Sequence, residues 1–466
     1  MQKTKQAPDI NRLIVVSNRT SAGTSRAGGL AVALWEALES SNGLWVGWSG
    51  KVTDYPSEKF TPLEEDGVSF ALCSYSKSEY DDFYLGYSNR VLWPVLHGRL
   101  DMAQFDPDQF ATYRKINKRF AGGILEQAEP GDRIWVHDYH FLMLGAALKA
   151  EGWDEPCGFF LHVPFPSPDA FRAIPDHQDL AEGLCAYDII GLQSQRDVAN
   201  LIMYLVQEFD AEQIDAQTVR VGHRAITILH CPIGIDAEGF GQIATSDTAR
   251  EAADKISVFL RNRDLVIGVD RMDYSKGLPQ RFEGMARFYD QNPDLHGRVS
   301  YTQIAPPSRS VVDEYVQLRE RLDALSGRIN GDYGDLDWIP IRYLAKGYDR
   351  EEIAGLYRLA RVGLVTPLQD GMNLVAKEFI AAQDPEDPGV LVLSQFAGAA
   401  EQMTDALIIN PHDADALASA VYQALDMPLA ERKARWQKLY QGICKQDIAW
   451  WRERFLTAFD LIKTGR

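Results

Sequence analysis

Two cations follow a predicted strand in the second half of the sequence, where an ordinary turn would carry glycine, asparagine or serine. The segment VDRMDYSKGL places Arg271 and Lys276 after an apolar strand and just before a helix. Arginine offers a planar fork of donors and lysine a point charge, and together they suit the oxygens of a diphosphate. The segment therefore predicts a diphosphate-binding site, with a solvated basic turn as the alternative interpretation.

A second turn, in TPLQDGMNLVAKEF, leads from a strand into a helix through residues 370–373. Leu374 and Glu378 lie four residues apart, on one face of that helix, and the N–H groups of its first turn have no helical partners. A ligand bound at this turn would reach Glu378, whose carboxylate would accept hydrogen bonds from a ribose. The alternative is a capped helix with one exposed glutamate.

The first predicted strand also ends in a turn whose residues could bind a ligand, SNRTSAGTSRAGGL. Arg19 ends the strand, and Gly28 and Gly29 open the following helix. Glycines let the backbone approach a ligand closely, and the exposed N–H groups at a helix start attract negative oxygens. A purely structural double-glycine turn is equally compatible with this pattern.

Two further strand ends in the first half carry histidines. In HDYH, residues 137–140, two histidines flank Asp138, but no third ligand has metal-site spacing, and a carboxylate that accepts hydrogen bonds from sugar hydroxyls is better motivated. In HVPFP, Pro164 and Pro166 stop the strand, because proline cannot continue a central ladder, and hold His162 at a rigid rim. A single histidine at such a strand end is more often structural than catalytic, so a catalytic role for His162 depends on the residues around it.

Three other residues have types that suit a phosphorylated sugar. Arg309 adds a cation to the loop QIAPPSRS, which follows a strand, and Tyr84 and Trp93 flank the segment GYSNRVL. Aromatic rings stack on the apolar faces of sugars, although the same rings pack in cores just as often.

Short apolar runs that alternate with helical patterns must position all of these residues. The predicted strands are RLIVVSNR, GLWVGWSG, DRIWVHDYH, CGFFLHVPFP, YDIIGLQS and AITILHCPIGI in the first half, and LVIGVDRMD, RVSYTQIAP, IPIRYL, VGLVTPL, GVLVLSQFAG and ALIINPHD in the second. The predicted helices include Leu30 to Leu38, Phe141 to Lys149, Ser310 to Leu325, Arg350 to Leu359 and Asn373 to Ala382. This alternation predicts an α/β chain with two doubly wound parallel sheets.

The division between the two halves is predicted within residues 236–252, where PIGID ends a strand and a polar stretch leads to a new helix. We expect an N-terminal domain at 1–240, a C-terminal domain at 241–445, and a C-terminal helix at 446–466 that crosses back to the first domain. Two such domains facing each other leave a cleft lined by strand carboxyl ends, where ligands bind in open α/β folds. The aromatic stripe of the last helix predicts packing rather than binding.

Composition excludes several classes of protein. The 466 residues include 48 Lys+Arg and 66 Asp+Glu, which gives a net charge of −18, and 45% are hydrophobic, so the chain can bury a core and is not disordered. The acidic balance argues against nonspecific binding to nucleic acid or to an anionic membrane. Five scattered cysteines without a C-x-x-C pair, and the absence of an apolar leader or a membrane-length apolar run, predict a soluble cytoplasmic protein.

Two missing motifs and one abundant motif narrow the chemistry. The sequence has no G-x-G-x-x-G after a strand and no G-x-x-x-x-G-K-[ST], which disfavours a nicotinamide enzyme and a phosphate-loop ATPase. D-x-D patterns, among them Asp335-Leu336-Asp337 and Asp413-Ala414-Asp415, occur as often as chance predicts for a chain with 66 acidic residues. No metal is expected, because two basic residues at the diphosphate site can neutralise a leaving group themselves.

Taken in order, these motifs resemble the trehalose-6-phosphate synthase family of retaining glycosyltransferases, whose two Rossmann-like domains face each other in the arrangement called GT-B. The likeness runs from about residue 12 to about residue 460 and rests on VHDYH, FFLHVPFP, R-x-DYSKGLP, GRINGDYG, VGLVTPLQDGMNLVAKE and ALIINP. The resemblance implies glucosyl transfer from UDP-glucose to glucose 6-phosphate with retention, giving α,α-trehalose 6-phosphate and UDP. It implies no cofactor.

The resemblance also assigns roles to matching positions. For the donor it implies Gly28, Gly29, Arg271, Lys276, Tyr348, Asp370, Gly371, Met372, Asn373, Leu374, Val375 and Glu378. For the acceptor it implies Arg19, Tyr84, Trp93, Asp138 and Arg309. For the reaction itself it implies His162, Asp138, Arg271 and Lys276, with the departing phosphate rather than a protein base taking the acceptor's proton. One departure is a glycine loop that is shorter than in many members, lacks their proline and carries the extra cation Arg26.

Two alternatives stay open from the residues alone. One is a related glucosyltransferase with another phosphorylated acceptor, such as glycerol 3-phosphate, and the other is a catalytically silent regulatory relative. The expected partners are the two small substrates, and a homo-oligomer is compatible with the sequence. The residues do not determine oligomeric state, allosteric control or tolerance for GDP or ADP on the donor.

Overall fold

The computed structural model describes residues 12–22, 29–56, 58–308 and 313–464. The chain divides into two compact units, residues 1–231 together with 452–466, and residues 232–451. Among the described residues, no helix combines the length and the apolar composition that crossing a membrane requires.

The first unit is built on a ten-stranded sheet with the order β3-β4-β2-β1-β5-β6-β7-β10-β9-β8. Its strands are β1 (Leu13–Arg19), β2 (Leu44–Val52), β3 (Thr61–Glu65), β4 (Val68–Tyr75), β5 (Arg133–His137), β6 (Cys157–Phe160), β7 (Ile189–Leu192), β8 (Glu212–Gln213), β9 (Thr218–Val221) and β10 (Arg224–His230). Along the sheet, every neighbouring pair of strands from β4 to β10 is parallel. At the two edges, β3 pairs antiparallel with β4, and the β8–β9 ribbon is antiparallel and pairs antiparallel with β10. The prediction of a parallel sheet is therefore correct for the centre and wrong for the edges.

A tight hairpin explains one of these edges. Asp66 and Gly67 join β3 to β4, and both have positive φ angles, 44° and 82°. A two-residue turn of this kind matches the right-handed twist of paired strands and requires left-handed backbone at both positions, which the dipeptide Asp-Gly supplies. The dipeptide was a readable signal for the two strands that our sequence analysis missed here.

Helices cover the sheet of the first unit. They are α1 (Gly29–Ser40), α2 (Lys77–Glu79), α3 (Trp93–Leu96), α4 (Pro107–Leu125), α5 (Leu144–Ala150), α6 (Pro168–Arg172), α7 (His177–Cys185) and α8 (Gln195–Phe209). Residues Tyr80–Leu92 form a π-helix, and Leu100–Met102 and Tyr139–Phe141 form 3₁₀ turns. The helix predicted from Phe141 therefore starts three residues later, because a 3₁₀ turn precedes it.

The second unit has a six-stranded sheet in which every pair is parallel, with the order β13-β12-β11-β14-β15-β16. Its strands are β11 (Asp264–Val269), β12 (Val299–Ile304), β13 (Ile341–Leu344), β14 (Val362–Val365), β15 (Val390–Ser394) and β16 (Leu407–Ile409). This sheet confirms the predicted doubly wound α/β class, and β14 and β15 are buried along their whole lengths, as continuous apolar runs require.

The helices of the second unit match the sequence pattern with one clear difference. They are α9 (Ala237–Ile243), α10 (Asp247–Leu260), α11 (Leu278–Gln291), α12 (Asp313–Tyr333), α13 (Arg350–Leu359), α14 (Leu374–Ala382), α15 (Ala414–Asp426) and α16 (Leu429–Lys445). Three 3₁₀ turns lie at Tyr274–Lys276, Pro293–Leu295 and Gly398–Glu401. Helix α12 continues eight residues beyond its predicted end at Leu325, through Gly327 and Gly331, which tertiary packing tolerates inside a helix.

The last helix, α17 (Ile448–Thr464), carries the aromatic stripe. The ring of Phe455 stacks on Trp135 of β5, with centroids 4.5 Å apart. Gly158 on β6 and Gly191 on β7 lack side chains where the ring of Phe455 lies, since a Cβ at either position would come within 2.8 Å of it. The stripe packs against the sheet of the first unit, as predicted.

Each sheet has one point where the strand order reverses. In the first unit this point lies between β1 and β5, and in the second it lies between β11 and β14. Crossover connections leave these neighbouring strands in opposite directions, which opens a crevice beyond their carboxyl ends, where open α/β sheets bind ligands. Most of the chemically interesting segments of the sequence follow one of these four strands.

Candidate active site

The segment after β11 is held in shape by a buried carboxylate. Asp273 accepts hydrogen bonds from the Ser275 amide at 3.0 Å and from the Tyr315 hydroxyl at 2.9 Å, through different oxygens. These contacts shape the 3₁₀ turn that presents Lys276. Gly277 follows with a φ of 66°, and a side chain there would collide with the carbonyl of Thr366.

Lys276 forms an ion pair with Asp370, which follows β14. The two side chains are each only 12% exposed. The same Asp370 oxygen accepts a hydrogen bond from Nδ2 of Asn373 at 3.1 Å. A predicted diphosphate cation and a predicted sugar contact, 94 residues apart in sequence, are thus direct partners at the switch point of the second sheet.

Arg271 differs from Lys276 in its surroundings. Arg271 is exposed and lies two positions after the end of β11, whereas Lys276 is largely buried. The two cations predicted to bind one diphosphate therefore combine a fixed charge with a solvent-accessible one.

A buried ion pair that the sequence analysis did not identify supports the same strand ends. Arg281 is fully buried on α11 and donates to Asp270 at 2.9 Å, to Thr366 at 3.0 Å and to Gln303 at 2.9 Å. These three acceptors follow or end β11, β14 and β12, so one guanidinium ties three neighbouring strands together. Such a fork can hold several acceptors in fixed geometry, and a single sequence offers no signal for this pairing.

The turn into α14 uses unusual backbone geometry. Asn373 precedes the helix with φ 75° and ψ 87°, and the side chains of Met372 and Asn373 are buried. Gly398 packs so closely that a side chain there would collide with the carbonyl of Gly371. Leu374 and Val375, which open the helix, are half-buried, and Asn373, the residue before them, donates a hydrogen bond to Asp370 of the ion pair.

Glu378 lies one turn further along α14. Burial raises its pKa to about 7, and the Arg350 guanidinium opposes this shift only in part. The alternative interpretation, a capped helix with one exposed glutamate, is wrong, because Glu378 is half-buried. Its neighbour Lys377 is buried, donates to the carbonyl of Ile233 at 2.7 Å, and has its pKa lowered to about 7 by burial.

Tyr348 lies apart from this cluster. Its ring is half-buried beneath the Lys346 ammonium, which lies 4.7 Å from the ring centroid. It lines a cavity of about 200 Å³ together with residues of α10, β13 and α13. None of the other predicted donor residues lines that cavity.

In the first unit, Asp138 and His162 meet at the ends of β5 and β6. Asp138 has a φ of 75°, its amide donates to the carbonyl of Phe160 at 2.8 Å, and its Oδ1 accepts from the His162 amide at 3.3 Å. A left-handed conformation is uncommon for a non-glycine residue, and such strain clusters at functional sites. The carboxylate is half-buried at the switch point of the first sheet.

His137, which the sequence pattern offers as a metal ligand or as an ordinary hydrogen-bonding group, is a further functional candidate. Its Nδ1 lies 3.0 Å from Nε2 of His162, and the two rings share this hydrogen bond. Burial lowers the pKa of His162 to about 3 and holds the pKa of His137 well below its ordinary value. Both rings are therefore neutral at neutral pH. Within the described residues, no cluster of three His, Cys, Asp or Glu side chains could hold a metal ion.

Arg19 and Tyr84 lie near one indole ring. Arg19 is exposed at the end of β1, with its guanidinium 5.7 Å from the centroid of Trp48. Tyr84, on the π-helix, has its ring centroid 5.8 Å from Trp48 and 6.0 Å from the parallel ring of His140. π-helical segments are rare and often occur at functional sites.

Trp93 packs in the core of the first unit. It is buried, with ring centroids 4.1 Å from His97 and 5.6 Å from Tyr139. Of the remaining predicted residues, Gly29 is the first residue of α1, and Gly28, Arg26 and Arg309 lie outside the described residues.

The geometry thus yields one cluster in each unit, each beyond the carboxyl ends of strands that flank a switch point. The second unit supplies cations, a carboxylate and a helix start, which suit a phosphorylated, hydroxyl-bearing ligand. The first unit supplies a strained carboxylate, a neutral histidine pair, an arginine and a half-buried tyrosine ring, which suit a sugar with an anionic group.

Comparisons with known proteins agree with this chemistry. Residues 3–460 match the family model described as glycosyltransferase family 20. A protein of Sodalis glossinidius named trehalose-6-phosphate synthase is 42% identical over 456 residues, which cover 96% of this chain and 95% of the relative. The identity extends across both units.

Solved structures are similar over the same length. An α,α-trehalose-phosphate synthase (UDP-forming) from Burkholderia xenovorans, in complex with glucose-6-phosphate, has a TM-score of 0.93 and 41% identity, covering 97% of this chain and 100% of its own. An E. coli structure described as trehalose-6-phosphate bound with UDP-2-fluoro glucose has a TM-score of 0.93 and 41% identity, covering 96% and 99%.

Proposed function

We propose that this chain, which belongs to glycosyltransferase family 20, transfers glucose from UDP-glucose to glucose 6-phosphate and forms α,α-trehalose 6-phosphate and UDP. The observation that carries the proposal is the Lys276–Asp370 pair beside the start of α14, where the second sheet reverses its strand order. It places a cation for a phosphate and an acceptor for sugar hydroxyls side by side. The relatives named above supply the identity of the two substrates.

On the donor side, departure of the leaving group places negative charge on the β-phosphate of UDP. Lys276, Arg271 and the N–H groups of Leu374 and Val375 stabilise that charge, because cations and a helix start both favour anions. Since these groups neutralise the leaving group, we propose that the reaction needs no metal ion and no cofactor.

The remaining donor contacts follow from the same turn. Asp370 accepts hydrogen bonds from the glucose hydroxyls, and Glu378 accepts them from the ribose. Gly371, Met372 and Asn373 shape the turn between these two carboxylates, while Gly28 and Gly29 of the N-terminal loop cover the diphosphate and Tyr348 lies near the base. Asp370 must share its charge between Lys276 and the sugar when the donor binds.

On the acceptor side, Arg19 and Arg309 bind the phosphate of glucose 6-phosphate, and Asp138 accepts hydrogen bonds from its hydroxyls. Tyr84 offers the edge of a ring to the sugar, and Trp93 supports the wall behind it. His162 lies beside the reacting carbon as a neutral hydrogen-bonding group. The departing phosphate takes the acceptor's proton, and the glucosyl group keeps its configuration.

We further propose that residues 1–240 bind the acceptor, residues 241–445 bind the donor, and the helix within 446–466 crosses back to the first domain. The division of the chain into two compact units supports the two-domain organisation, with boundaries at 231/232 and 451/452, a few residues from these limits. Location in the cytoplasm and the absence of nucleic-acid or membrane partners remain predictions from the sequence.

The test of the reaction is an initial-rate panel that measures UDP release. Donors are UDP-glucose, GDP-glucose and ADP-glucose, and acceptors are glucose 6-phosphate and glycerol 3-phosphate. We expect turnover with UDP-glucose and glucose 6-phosphate, and an α,α linkage in the product by NMR. Faster turnover with glycerol 3-phosphate, or none with any pair, would contradict the proposal.

The acceptor assignment has its own test. Arg309→Ala removes one charge-assisted contact to the phosphate, which is worth about 1.5–3 kcal/mol. We expect the KM for glucose 6-phosphate to rise about tenfold to a hundredfold or more, with a much smaller change for UDP-glucose. Equal changes for both substrates would contradict the phosphate contact. Arg328→Ala serves as a matched control, since it removes an exposed arginine of α12 that neither substrate is proposed to contact.

A further inference from the structure

One buried lysine of the second unit takes no part in the mechanism proposed above. Lys377, on α14, is 1% exposed, and its ammonium donates to the carbonyl of Ile233 at 2.7 Å. Among the described residues no carboxylate pairs with this ammonium, and burial by itself lowers its pKa to about 7. Lysine is almost never fully buried without a partner of opposite charge, because taking the charge out of water costs free energy. A methionine of similar length would avoid this cost.

The carbonyl that Lys377 meets belongs to the segment with which the chain enters the second unit. The chain passes between the two units at 231/232 and again at 451/452. We call residues 232–236 the crossing segment, in which residues 232–235 are buried but belong to no helix or strand. Buried backbone groups outside regular structure depend on side chains or water for their hydrogen bonds. Lys377 supplies one such bond to the crossing segment.

The crossing segment is closely packed within the second unit. A Cβ on Gly234 would lie 2.3 Å from the carbonyl carbon of Asp447, so the two backbones are in contact there. The amide of Ile448, at the start of α17, donates to the carbonyl of Ile235 at 3.3 Å. The segments that lead into and out of the second unit thus lie against each other, and Lys377 is bonded to a well-fixed part of the backbone.

Side chains hold α14 near both of its ends. Towards the carboxyl end, Trp436 of α16 donates to the carbonyl of Ile380 at 3.0 Å. Nearer the amino end, Lys377 forms the bond to Ile233. Because its backbone hydrogen bonds make a helix stiff, the contact closer to the first turn sets where that turn lies.

The first turn of α14 is the part of the helix that the donor contacts in the proposed reaction. Leu374 and Val375 present the N–H groups of this turn, and Glu378 directly follows Lys377. Such contacts depend steeply on distance, and a misplacement of about 1 Å can cost about a hundredfold in rate. A small shift of α14 would therefore weaken binding of the diphosphate and of the ribose together.

We propose that Lys377 is a positioning residue of the donor site: its bond to the crossing segment holds the first turn of α14 where the diphosphate and ribose of a nucleotide-sugar bind. The inference rests on the proposed function, because it takes the donor to be bound by that turn. It also explains why a costly buried ammonium is kept, since proteins break such local rules at functional sites. Lys377 itself contacts neither substrate.

Initial rates with both substrates varied, together with calorimetric binding of UDP, test the proposal. Lys377→Met keeps the length and the burial of the side chain and removes the hydrogen-bond donor. We expect the KM for UDP-glucose and the dissociation constant for UDP to rise about tenfold or more, with the KM for glucose 6-phosphate nearly unchanged. Urea unfolding should show equal or higher stability, because the variant no longer buries a charge.

Trp436→Phe is the matched control, because it removes a hydrogen bond to the same helix nearer its other end. We expect this variant to leave the KM for UDP-glucose nearly unchanged. An equal rise for Trp436→Phe and Lys377→Met overturns the proposal, since any loosening of α14 would then be enough. Lower stability of Lys377→Met with an unchanged KM for UDP-glucose also overturns it, because the role would then be structural only.

The unmodified chain separates this inference from the proposed function. If it turns over UDP-glucose with glucose 6-phosphate and Lys377→Met keeps the same KM for UDP-glucose, the positioning role is overturned and the proposed function stands. If the unmodified chain neither turns over UDP-glucose nor binds UDP, both are overturned.

Discussion

Lys276 and Arg271 form the sharpest test of the donor site, because both are predicted to bind the same diphosphate from different environments. Lys276 is 12% exposed and paired with Asp370, whereas Arg271 is an exposed residue. Replacing each by alanine removes one positive charge from the leaving-group site. The two variants should therefore resemble each other in kinetics and differ in stability.

The magnitudes follow from these environments. Removing one partner of a buried ion pair costs about 3–5 kcal/mol, because the other charge stays behind unpaired. Asp370 keeps its hydrogen bond from Asn373 and some access to water, so we expect Lys276→Ala to cost about 2–3 kcal/mol. Arg271→Ala should change the free energy of unfolding by less than about 0.5 kcal/mol, as exposed positions do. In kcat/KM, each variant should lose about tenfold to a hundredfold or more.

Two assays separate these effects. Urea unfolding of the substrate-free protein measures stability, and initial rates of UDP release measure kcat/KM. A third variant, Lys276→Met with Asp370→Asn, removes both charges and should recover part of the lost stability without recovering turnover. The reasoning is refuted if Lys276→Ala unfolds at the same urea concentration as the unmodified chain, or if Arg271→Ala is the less stable of the two.

Three further predictions concern other parts of the two clusters. The pKa of Glu378 is raised from 4.5 to about 7, so its contribution to the free energy of unfolding, about 3 kcal/mol, is fully present below pH 4.5 and is lost as the pH rises through 7. Glu378→Gln should therefore flatten the dependence of stability on pH between pH 5 and 8. An unchanged pH dependence would contradict the shift. His137→Phe removes the hydrogen-bond partner of His162 and should lower kcat more than it changes either KM. His137→Asn should restore part of the rate, because its amide nitrogen lies near the place of Nδ1. Equal rates for the two variants would show that the hydrogen bond does not position His162. Gly398→Ala forces the turn at Gly371 to move and should raise the KM for UDP-glucose while sparing that for glucose 6-phosphate, which paired saturation curves can check.

Local patterns were sufficient to predict much of this molecule. All twelve strands named from apolar runs are present, and α13 (Arg350–Leu359) has the predicted bounds. The motifs also identified the family, which the match over residues 3–460 confirms. These successes share a cause: the apolar run, the helix cap and the strand-end charge are each encoded within about ten consecutive residues, and physical rules for them are local.

The misses were of two kinds. The β3–β4 hairpin had a local signal, Asp66-Gly67, that was overlooked. The π-helix at Tyr80–Leu92 had none, because its hydrogen-bond pattern depends on packing against other elements. The extension of α12 through two glycines likewise reflects tertiary contacts that outweigh helix propensity.

The sequence by itself determined which residue types follow each strand, and therefore that cations, carboxylates and histidines gather at strand carboxyl ends. Tertiary structure alone decided which of them are partners: Lys276 with Asp370, Arg281 with Asp270, and His137 with His162. The physical reason is that strand order and register bring distant segments together, and burial then sets their charge states. A linear sequence contains the groups, but their distances, and hence their pKa values and pairings, exist only after the sheets have formed.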